Sequence, residues 1–398
     1  MRLPRAVWAL GVVSLLMDMS SEMIHALLPT FLVVGLGASA ATLGVIEGIA
    51  DGTASVTRLF SGWLSDRLGK RKALAVFGYG LAALSKPLFA LAPSPAWVFV
   101  ARFSDRVGKG IRGSPRDALI ADLAVRSLHG AAYGLRQALD SVGAVLGPLA
   151  AVALMLLLLD DIRTVFWVAA IPAVISVLVL LVAVREPPGV PPNPAARIPL
   201  RRHDVAALGK QFWQVVGVAG ILLLARFSEA FLLLRAQETG LRAAYLPFLF
   251  VLMNSIFALA AYPVGALSDH IGRRRLVLAG FAVLAGADLV LAFASGPVAV
   301  FVGATLWGLH LAMTQGLLVA LVADAADPTR RGTAFGVFHL VAGAALLGAS
   351  VIAGILWNSF GARWTFLAGA GLTTAGLLAT LAILRRNAVA ARDTDPAG

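Results

Sequence analysis

Apolar runs of about 20 residues recur along the whole chain, separated by short segments of Gly, Pro and charged residues. A helix needs a run of this length to cross the hydrocarbon core of a bilayer. The pattern predicts twelve spanning helices, six in each half, and therefore an all-α integral membrane protein. The expected spans are roughly 6–34, 41–64, 73–92, 95–122, 131–158 and 163–184, then 211–234, 243–267, 276–294, 298–324, 333–356 and 364–384.

The composition agrees with a membrane location. Hydrophobic residues make up 59% of the chain and charged residues 14%, against roughly 25% charged in soluble domains. The chain has no cysteine, which excludes disulfides and thiolate chemistry. No catalytic constellation or nucleotide-binding loop stands out. We expect no enzymatic activity, no metal and no cofactor.

The basic residues indicate orientation rather than a nucleic-acid partner. The net charge is +12, but the Lys and Arg residues concentrate in every second connection, as in cytoplasmic loops. Both termini and the central linker are therefore predicted to be cytoplasmic, in a multi-pass protein of a bacterial inner membrane. The first apolar run has no small-residue cleavage site before Asp18 and is expected to be a spanning helix, not a signal peptide.

The two halves of the chain repeat each other. The segment from Gly62 to Lys72 returns as the segment from Gly265 to Arg275, and Leu119–Asp122 is echoed by Leu321–Asp324. Such a repeat predicts two pseudo-symmetric six-helix bundles. The expected division is a first bundle at 1–184, a Pro-rich cytoplasmic linker at 185–210, a second bundle at 211–384 and a cytoplasmic tail at 385–398.

The repeated segment resembles the signature loop between helices 2 and 3 of the major facilitator superfamily, with a weaker copy between helices 8 and 9. The resemblance covers nearly the whole chain and implies that superfamily's fold and a secondary transporter. It also implies a latch on the cytoplasmic side, centred on Asp66 and Arg67; His270 replaces the basic residue in the second copy. The matching residues are Gly62, Asp66, Arg67, Gly69, Lys70 and Arg71, then Gly265, Asp269, Gly272 and Arg273.

Helix 5 is similar to a motif that the family associates with antiporters. Gly134, Gly143, Gly147 and Pro148 match its spacing, although Ala151 and Val152 stand where two glycines are expected. The resemblance favours export by proton exchange. Helix 4 departs from the family pattern, because Asp105 and Arg106 stand where other residues are common.

Charged residues inside the predicted spans concentrate in the first half. Asp18, Glu22 and His25 share one face of helix 1. Helix 4 carries a basic stripe at intervals of three or four residues: Arg102, Arg106, Lys109, Arg112 and Arg116. Because ionisable groups are costly in hydrocarbon, they are functional candidates by default.

These residues suggest roles in coupling and solute binding. The expected proton carriers are Asp18, Glu22, Asp51 and Glu229. The expected cavity residues are His25, Arg102, Asp105, Arg106, Lys109, Arg136, Asp140, Arg226, Asn254 and Gln315. In the alternative interpretation, the stripe forms structural ion pairs with Asp18, Glu22, Glu47 and Asp51, and His25 is an ordinary packed histidine.

The leading hypothesis is export of a small anionic or chelate-like solute by alternating access, driven by the proton gradient, in a monomer embedded in the bilayer. One alternative is a multidrug or lipophilic-cation:proton antiporter, with Phe31, Trp307 and Phe338 in its pocket. A more remote alternative is a sensor that keeps the fold without transporting.

Overall fold

The structure is a computed structural model that describes residues 3–125, 128–185, 205–326 and 331–393. The side chains of Asp66, Asp269, Arg331, Gly332 and residues 383–393 lie outside the description. Most of the predicted linker at 185–210 and the end of the predicted tail at 385–398 also lie outside it.

Each of the twelve predicted spans is helical. In the first half, α1 is Arg5–His25, continued by Leu28–Thr30 and a π-helical turn Phe31–Gly35; α2 is Ala40–Leu68, α3 Arg71–Leu91, α4 Pro95–Leu123, α5 His129–Leu157 and α6 Ile162–Ala183. In the second half, α7 comprises Lys210–Leu223 and Ala230–Glu238; α8 is Pro247–Ile271, α9 Arg273–Ala292, α10 Pro297–Ala325, α11 Arg331–Phe360 and α12 Ala362–Asp393.

Nine spans among the described residues are long and apolar enough to cross a membrane. The helices outside these nine are α2, α4 and α7. Charged and other polar residues lower the mean hydropathy of the first two, and α7 is divided into two short pieces. Both α2 and α4 contribute charged residues to the predicted site, and low apolarity is expected where a helix faces a polar cavity instead of lipid.

Local sequence signals explain the helix ends. Ser39 caps α2 by accepting the Thr42 N–H at 3.1 Å, and Pro95 and Pro297 begin α4 and α10, where a missing N–H costs nothing. Gly69 ends α2 with φ of +63°, a left-handed conformation that glycine adopts without strain.

We call the side on which α2–α3 and α8–α9 connect the basic side, after Arg67, Lys70 and Arg273, and the other side the opposite side. Both ends of the described chain lie on the basic side, because twelve spans separate them.

The two halves meet through α2 against α11 and α5 against α8. Glycines permit backbone contact between α2 and α11: a methyl group at Gly44 would collide with the Ser350 carbonyl oxygen, and one at Gly354 would lie 2.6 Å from the Ala40 carbonyl oxygen. Polar contacts between halves near this end include Thr30 with Gln237, at 3.4 Å. The space between the halves is therefore closed towards the opposite side.

The helices α1 and α7, which begin the two halves, are both interrupted. In α1 the interruption lies at Ala26 and Leu27, and in α7 it extends over residues 224–229. The predicted span at 211–234 was continuous, so this break is a finding of the structure. Ser228 stabilises it: its N–H donates to Ser350 Oγ at 3.1 Å, and its own Oγ accepts the Ala230 N–H at 3.2 Å.

Candidate solute cavity

A cavity of about 380 Å³ lies between the halves. Residues from α1, α2, α4, α7, α8, α10 and α11 line it, so neither bundle forms it alone. The lining residues are Glu22, His25, Asp51, Ala54, Ser55, Arg106, Lys109, Arg226, Glu229, Phe250, Met253, Asn254, Leu311, Gln315 and Leu346. Nine of the fourteen residues predicted for coupling and solute binding are among them.

Arg106 and Lys109 bring positive charge to the α4 wall. Arg106 Nε lies 3.4 Å from Asp105 Oδ2 and has no hydrogen-bond partner in the described structure. Asp105 is already bound more tightly by Lys86, whose Nζ donates to it at 2.7 Å. No ion pair of Lys109 with a described residue occurs within 4 Å. Both cations therefore keep donors available to a solute.

The wall formed by the second half carries an ion pair that is longer than the Lys86–Asp105 pair. Arg226, in the α7 break, donates to Glu229 Oε1 at 3.3 Å. Asp51 lies on α2 near Glu229. Apart from His25, the cavity thus contains three cations (Arg106, Lys109 and Arg226) and three carboxylates (Glu22, Asp51 and Glu229).

A row of charged groups leads from the cavity into the first bundle. His25 Nδ1 lies 3.6 Å from Glu22, and His25 Nε2 lies 3.5 Å from Glu47. Glu47 in turn accepts a hydrogen bond from Arg102 at 2.7 Å. Phe250 of the second half packs 5.0 Å from the His25 ring. The imidazole of His25 therefore lies between Glu22 and Glu47, with no hydrogen bond to its Nε2 among the described residues.

The remaining predicted residues are not among the cavity-lining residues. Arg102 is 2% exposed and paired with Glu47, and Asp105 is 1% exposed and bound by Lys86. Asp18 lies 3.9 Å from Arg112, outside the cavity lining. Arg136 and Asp140 form an ion pair on α5 at 2.5 Å, also outside the lining.

Two residues in this network were not predicted as site residues. Lys86 is 1% exposed and also donates to Ser21 Oγ at 2.9 Å, and Glu47 is 1% exposed. The sequence signal for Lys86 was a lone charge in an apolar span, and for Glu47 it was a charge one turn from Asp51 on the same helix.

The helix-5 motif places α5 directly against α1. A methyl group at Gly143 would collide with the Leu15 carbonyl oxygen, and one at Gly147 would lie 2.5 Å from the Met19 oxygen and 2.9 Å from Glu22 Cβ. Gly134 has open space, and Pro148 is buried within α5. Two of the motif's glycines therefore fix the backbone that carries Glu22.

The repeated signature loops form matching ion pairs. Arg71, at the start of α3, binds Asp122 at the end of α4 at 2.5 Å, and Arg273 binds Asp324 in the same way between α9 and α10. Gly62 packs on Ser114, Arg67 lies 5.4 Å from the Trp63 ring, and Gly272 has φ of +92°. Lys70 precedes α3, and Gly265 has open space. The predicted latch residues Asp66 and Asp269 have side chains outside the described structure.

The fold and the central cavity define a polytopic membrane transporter, and comparison with known proteins agrees. The profile of the Major Facilitator Superfamily matches residues 10–234 and 217–398. The chain belongs to the major facilitator superfamily. It is a transporter of a small solute embedded in the membrane, not an enzyme, and the predicted twelve-helix fold is confirmed.

Curated relatives span most of the chain. An uncharacterized MFS-type transporter of Methanocaldococcus jannaschii is 33% identical, covering 94% of each chain. A gentisate transporter of Corynebacterium glutamicum is 30% identical, covering 87% of this chain and 79% of its own. The multidrug resistance protein MdtH of Proteus mirabilis is 26% identical, covering 75% and 74%.

A solved structure supports the fold. The bacterial homologue of the human lysosomal transporter Spinster, crystallised in an inward-facing and occupied conformation, superposes with a TM-score of 0.77. It covers 95% of this chain and 96% of its own, at 15% identity.

Proposed function

We propose that this protein exports a small anionic or chelate-like solute by alternating access, in exchange for protons. The observation that carries the proposal is the convergence of Arg106 and Lys109 from α4 and Arg226 from α7 on one cavity. Cations on both walls allow an anion to draw the halves together, and Coulomb attraction is stronger in such an enclosed site than in water.

An aromatic carboxylate fits this arrangement. The carboxylate would meet the donors of Arg106 and Lys109, and the ring would lie near Phe250 and His25. The gentisate transporter among the relatives carries a name that agrees with this class of solute. We therefore take gentisate as the first probe.

Glu22, Asp51 and Glu229 are the proposed proton carriers in the cavity, with Asp18 in reserve behind it. A proton on Glu22 removes negative charge next to Lys109 and Arg106, so it strengthens anion binding. By electrostatics alone, the cavity would load an anion and a proton together. Exchange therefore requires that solute and proton are held in different conformations, or that a proton also binds elsewhere.

The proposed orientation places the basic side in the cytoplasm of a bacterial inner membrane, with both termini there. It is supported by the distribution of Lys and Arg between the connections. The proton gradient is the proposed energy source, and the proposed working unit is a monomer.

Multidrug export of lipophilic cations is the second candidate. Three carboxylates and Phe250 line the same cavity, and one relative is named a multidrug resistance protein. Trp307 and Phe31, the aromatic residues predicted for such a pocket, are instead buried in the packed core, as is Phe338. A bound cation would compete with protons, so its binding should weaken as the pH falls.

Thermal unfolding of the purified protein tests both candidates. Gentisate, a metal–citrate chelate and tetraphenylphosphonium are added at about pH 5.5 and about pH 7.5, on either side of the usual histidine range. We expect the anions to raise Tm in the wild type, more at the lower pH, and to lose that effect in Arg106→Gln. Arg363→Gln removes an exposed arginine on α12 and serves as the matched control. Stabilisation by the cation that survives in Arg106→Gln would favour the second candidate.

A further inference from the structure

Asp288 on α9 is an isolated acid in the interior of the second half. Its side chain is 0% exposed, and neither carboxyl oxygen has a hydrogen-bond partner among the described residues. It is outside the cavity lining and does not belong to the proposed proton carriers in the cavity. An ionised carboxylate buried without a counter-charge is strongly disfavoured, so the group is held here as the neutral acid.

The internal repeat shows what this position does in the first half. Lys86 and Asp288 both stand nine residues before the proline that begins the next helix, Pro95 or Pro297. Lys86 is bound by Asp105 and Ser21. The repeat positions of those two partners hold Trp307 and Ser228. The first half thus has a satisfied ion pair where the second has a lone acid.

Trp307 leaves a second polar group unsatisfied in the same region. Its side chain is 0% exposed, and Nε1 has no acceptor in the described structure. The α9–α10 packing places Asp288 near this ring, because Leu291 contacts Gly303 on one side of it and Met313 contacts Gly280 on the other. An indole N–H is a suitable donor for an ionised Asp288.

The α7 break lies close to the acid, because both approach Gly369 of α12. A methyl group at Gly369 would lie 2.6 Å from Asp288 Oδ2 and 3.0 Å from Phe227 Cε1, so the carboxyl group and the ring share one small space. Phe227 is also 5.5 Å from the Trp307 ring. Arg226, the preceding residue, lines the solute cavity. A movement of the break would therefore change the surroundings of Asp288 and the lining of the solute cavity at the same time.

Few charged groups surround this acid. On α7 they are Arg226 and Glu229, which pair with each other at 3.3 Å, and Arg235, which donates to carbonyl oxygens at the end of α9. On α10 the nearest is His310, whose Nδ1 bonds to the Gly280 carbonyl oxygen at 2.9 Å and whose Nε2 has no partner among the described residues. The spanning parts of α8 and α12 contribute no charged side chain at this depth. No described residue supplies Asp288 with a bound counter-charge.

We infer that Asp288 is a proton-binding site of this transporter: it holds a proton while the α7 break is packed as in this structure, and it exchanges that proton when the break moves. The site lies about one turn from the opposite-side end of α9, so opening on that side would expose it. The inference rests on the proton coupling of the proposed function and adds a proton site outside the solute cavity.

Infrared spectroscopy tests the protonation state without any solute. At neutral pH the wild type should show a C=O band of protonated carboxyl groups, and Asp288→Asn should lose part of it. Glu238→Gln, which removes an exposed carboxylate on α7, should leave the band unchanged. A spectrum of Asp288→Asn that matches the wild type in this region would overturn the inference. So would a failure of the Asp288 contribution to titrate at any pH at which the protein stays folded.

Spin-label distances test the link to conformation. The chain has no cysteine, so labels can be placed at Ala96→Cys and Val298→Cys, exposed positions at the opposite-side ends of α4 and α10. In nanodiscs the wild type should shift to longer distances as the pH rises, and this shift should be lost in Asp288→Asn. An equal shift in both proteins, or none in the wild type, would refute the link.

Stability distinguishes a proton site from a structural acid. Asp288→Leu should unfold at or above the wild-type temperature, because the neutral acid has no polar partner to lose. A large loss of stability in both Asp288→Leu and Asp288→Asn would show that the carboxyl group is ionised and paired, against the inference. Anion stabilisation that fails in the wild type while these results hold would count against the solute class alone.

Discussion

Arg102 donates a hydrogen bond to Glu47 at 2.7 Å in the interior of the first bundle, where their exposed fractions are 2% and 1%. One turn further along α4, Arg106 faces the solute cavity instead. The basic stripe of α4 therefore divides between a buried ion pair and cavity lining. Both interpretations of the stripe describe part of it.

The Glu47–Arg102 pair should behave as a structural element. Glu47→Leu leaves a buried guanidinium without its counter-charge and should lower the free energy of unfolding by about 3–5 kcal/mol. The double variant Glu47→Leu/Arg102→Met removes both charges and should recover most of the loss. Chemical unfolding in mixed micelles measures both. A double variant no more stable than Glu47→Leu would contradict this role.

Glu22 should set the pH dependence of solute handling. Glu22→Gln imitates the protonated carboxyl group, so anion binding should be as tight at about pH 7.5 as it is in the wild type at about pH 5.5. Transport should lose its pH dependence, while membrane insertion and Tm stay close to wild type. Solute binding and flux in proteoliposomes are the measurements, and coupling that survives in this variant would exclude Glu22 as a proton carrier.

The glycine contact between α2 and α11 should control which side is open. Gly44→Ala places a methyl group against the Ser350 carbonyl oxygen, so we expect longer distances between labels at Ala96→Cys and Val298→Cys. Gly80→Ala is the matched control, because Gly80 lies within α3 with open space around it. It should leave the distances unchanged and stabilise the helix by up to about 1 kcal/mol. Equal distances in both variants would argue against the closed contact.

Asp161 caps α6 outside the membrane. Its Oδ1 accepts the N–H groups of Arg163 and Thr164 at 3.0 and 3.3 Å, and the Thr164 hydroxyl donates to Oδ2. That hydroxyl hydrogen bond lowers the pKa of Asp161 below its usual 3.8. The contribution to stability is therefore fully present above about pH 4 and is lost as the pH falls through the lowered pKa.

Asp161→Ala should cost about 1 kcal/mol at neutral pH and less in acid. Asp161→Asn keeps an acceptor and serves as the control, which should retain most of the stability without this pH dependence. Unfolding measured at several pH values gives both comparisons. A loss in Asp161→Ala that does not change with pH would mean that the charge of the cap is irrelevant.

The helices were predictable because a helix that crosses the bilayer needs an apolar run of a set length. The repeated segments lie at the α2–α3 and α8–α9 connections, as the sequence predicts. The break in α7 could not be predicted, because it depends on a hydrogen bond between Ser228 and Ser350, which are 122 residues apart. The family resemblance identified the two loops. The ion pairs Arg71–Asp122 and Arg273–Asp324 were found only in the structure. Their aspartates belong to the second pair of repeated segments, so the repeat contained a signal for them.

The partner of each charged side chain could not be predicted from the sequence either. Arg102 and Arg106 are four residues apart and share a helix face, yet one meets Glu47 on α2 and the other faces a cavity. Helical periodicity gives the face, while the neighbouring helices decide what lies opposite each residue. For the same reason, the sequence showed Lys86 and Asp288 as lone charges but could not show that, among the described residues, only Lys86 has a hydrogen-bond partner.

The contact of Gly44 and Gly354 with the facing main chain affects how the molecule changes shape. Where α2 and α11 meet through bare backbone, the two bundles can move over each other without separating interleaved side chains. The cost of reversing access is then set mainly by the polar groups at the rims and by whatever occupies the centre. Binding of a solute or a proton can then shift the equilibrium between the two conformations with a small change in free energy, while each bundle keeps its internal packing.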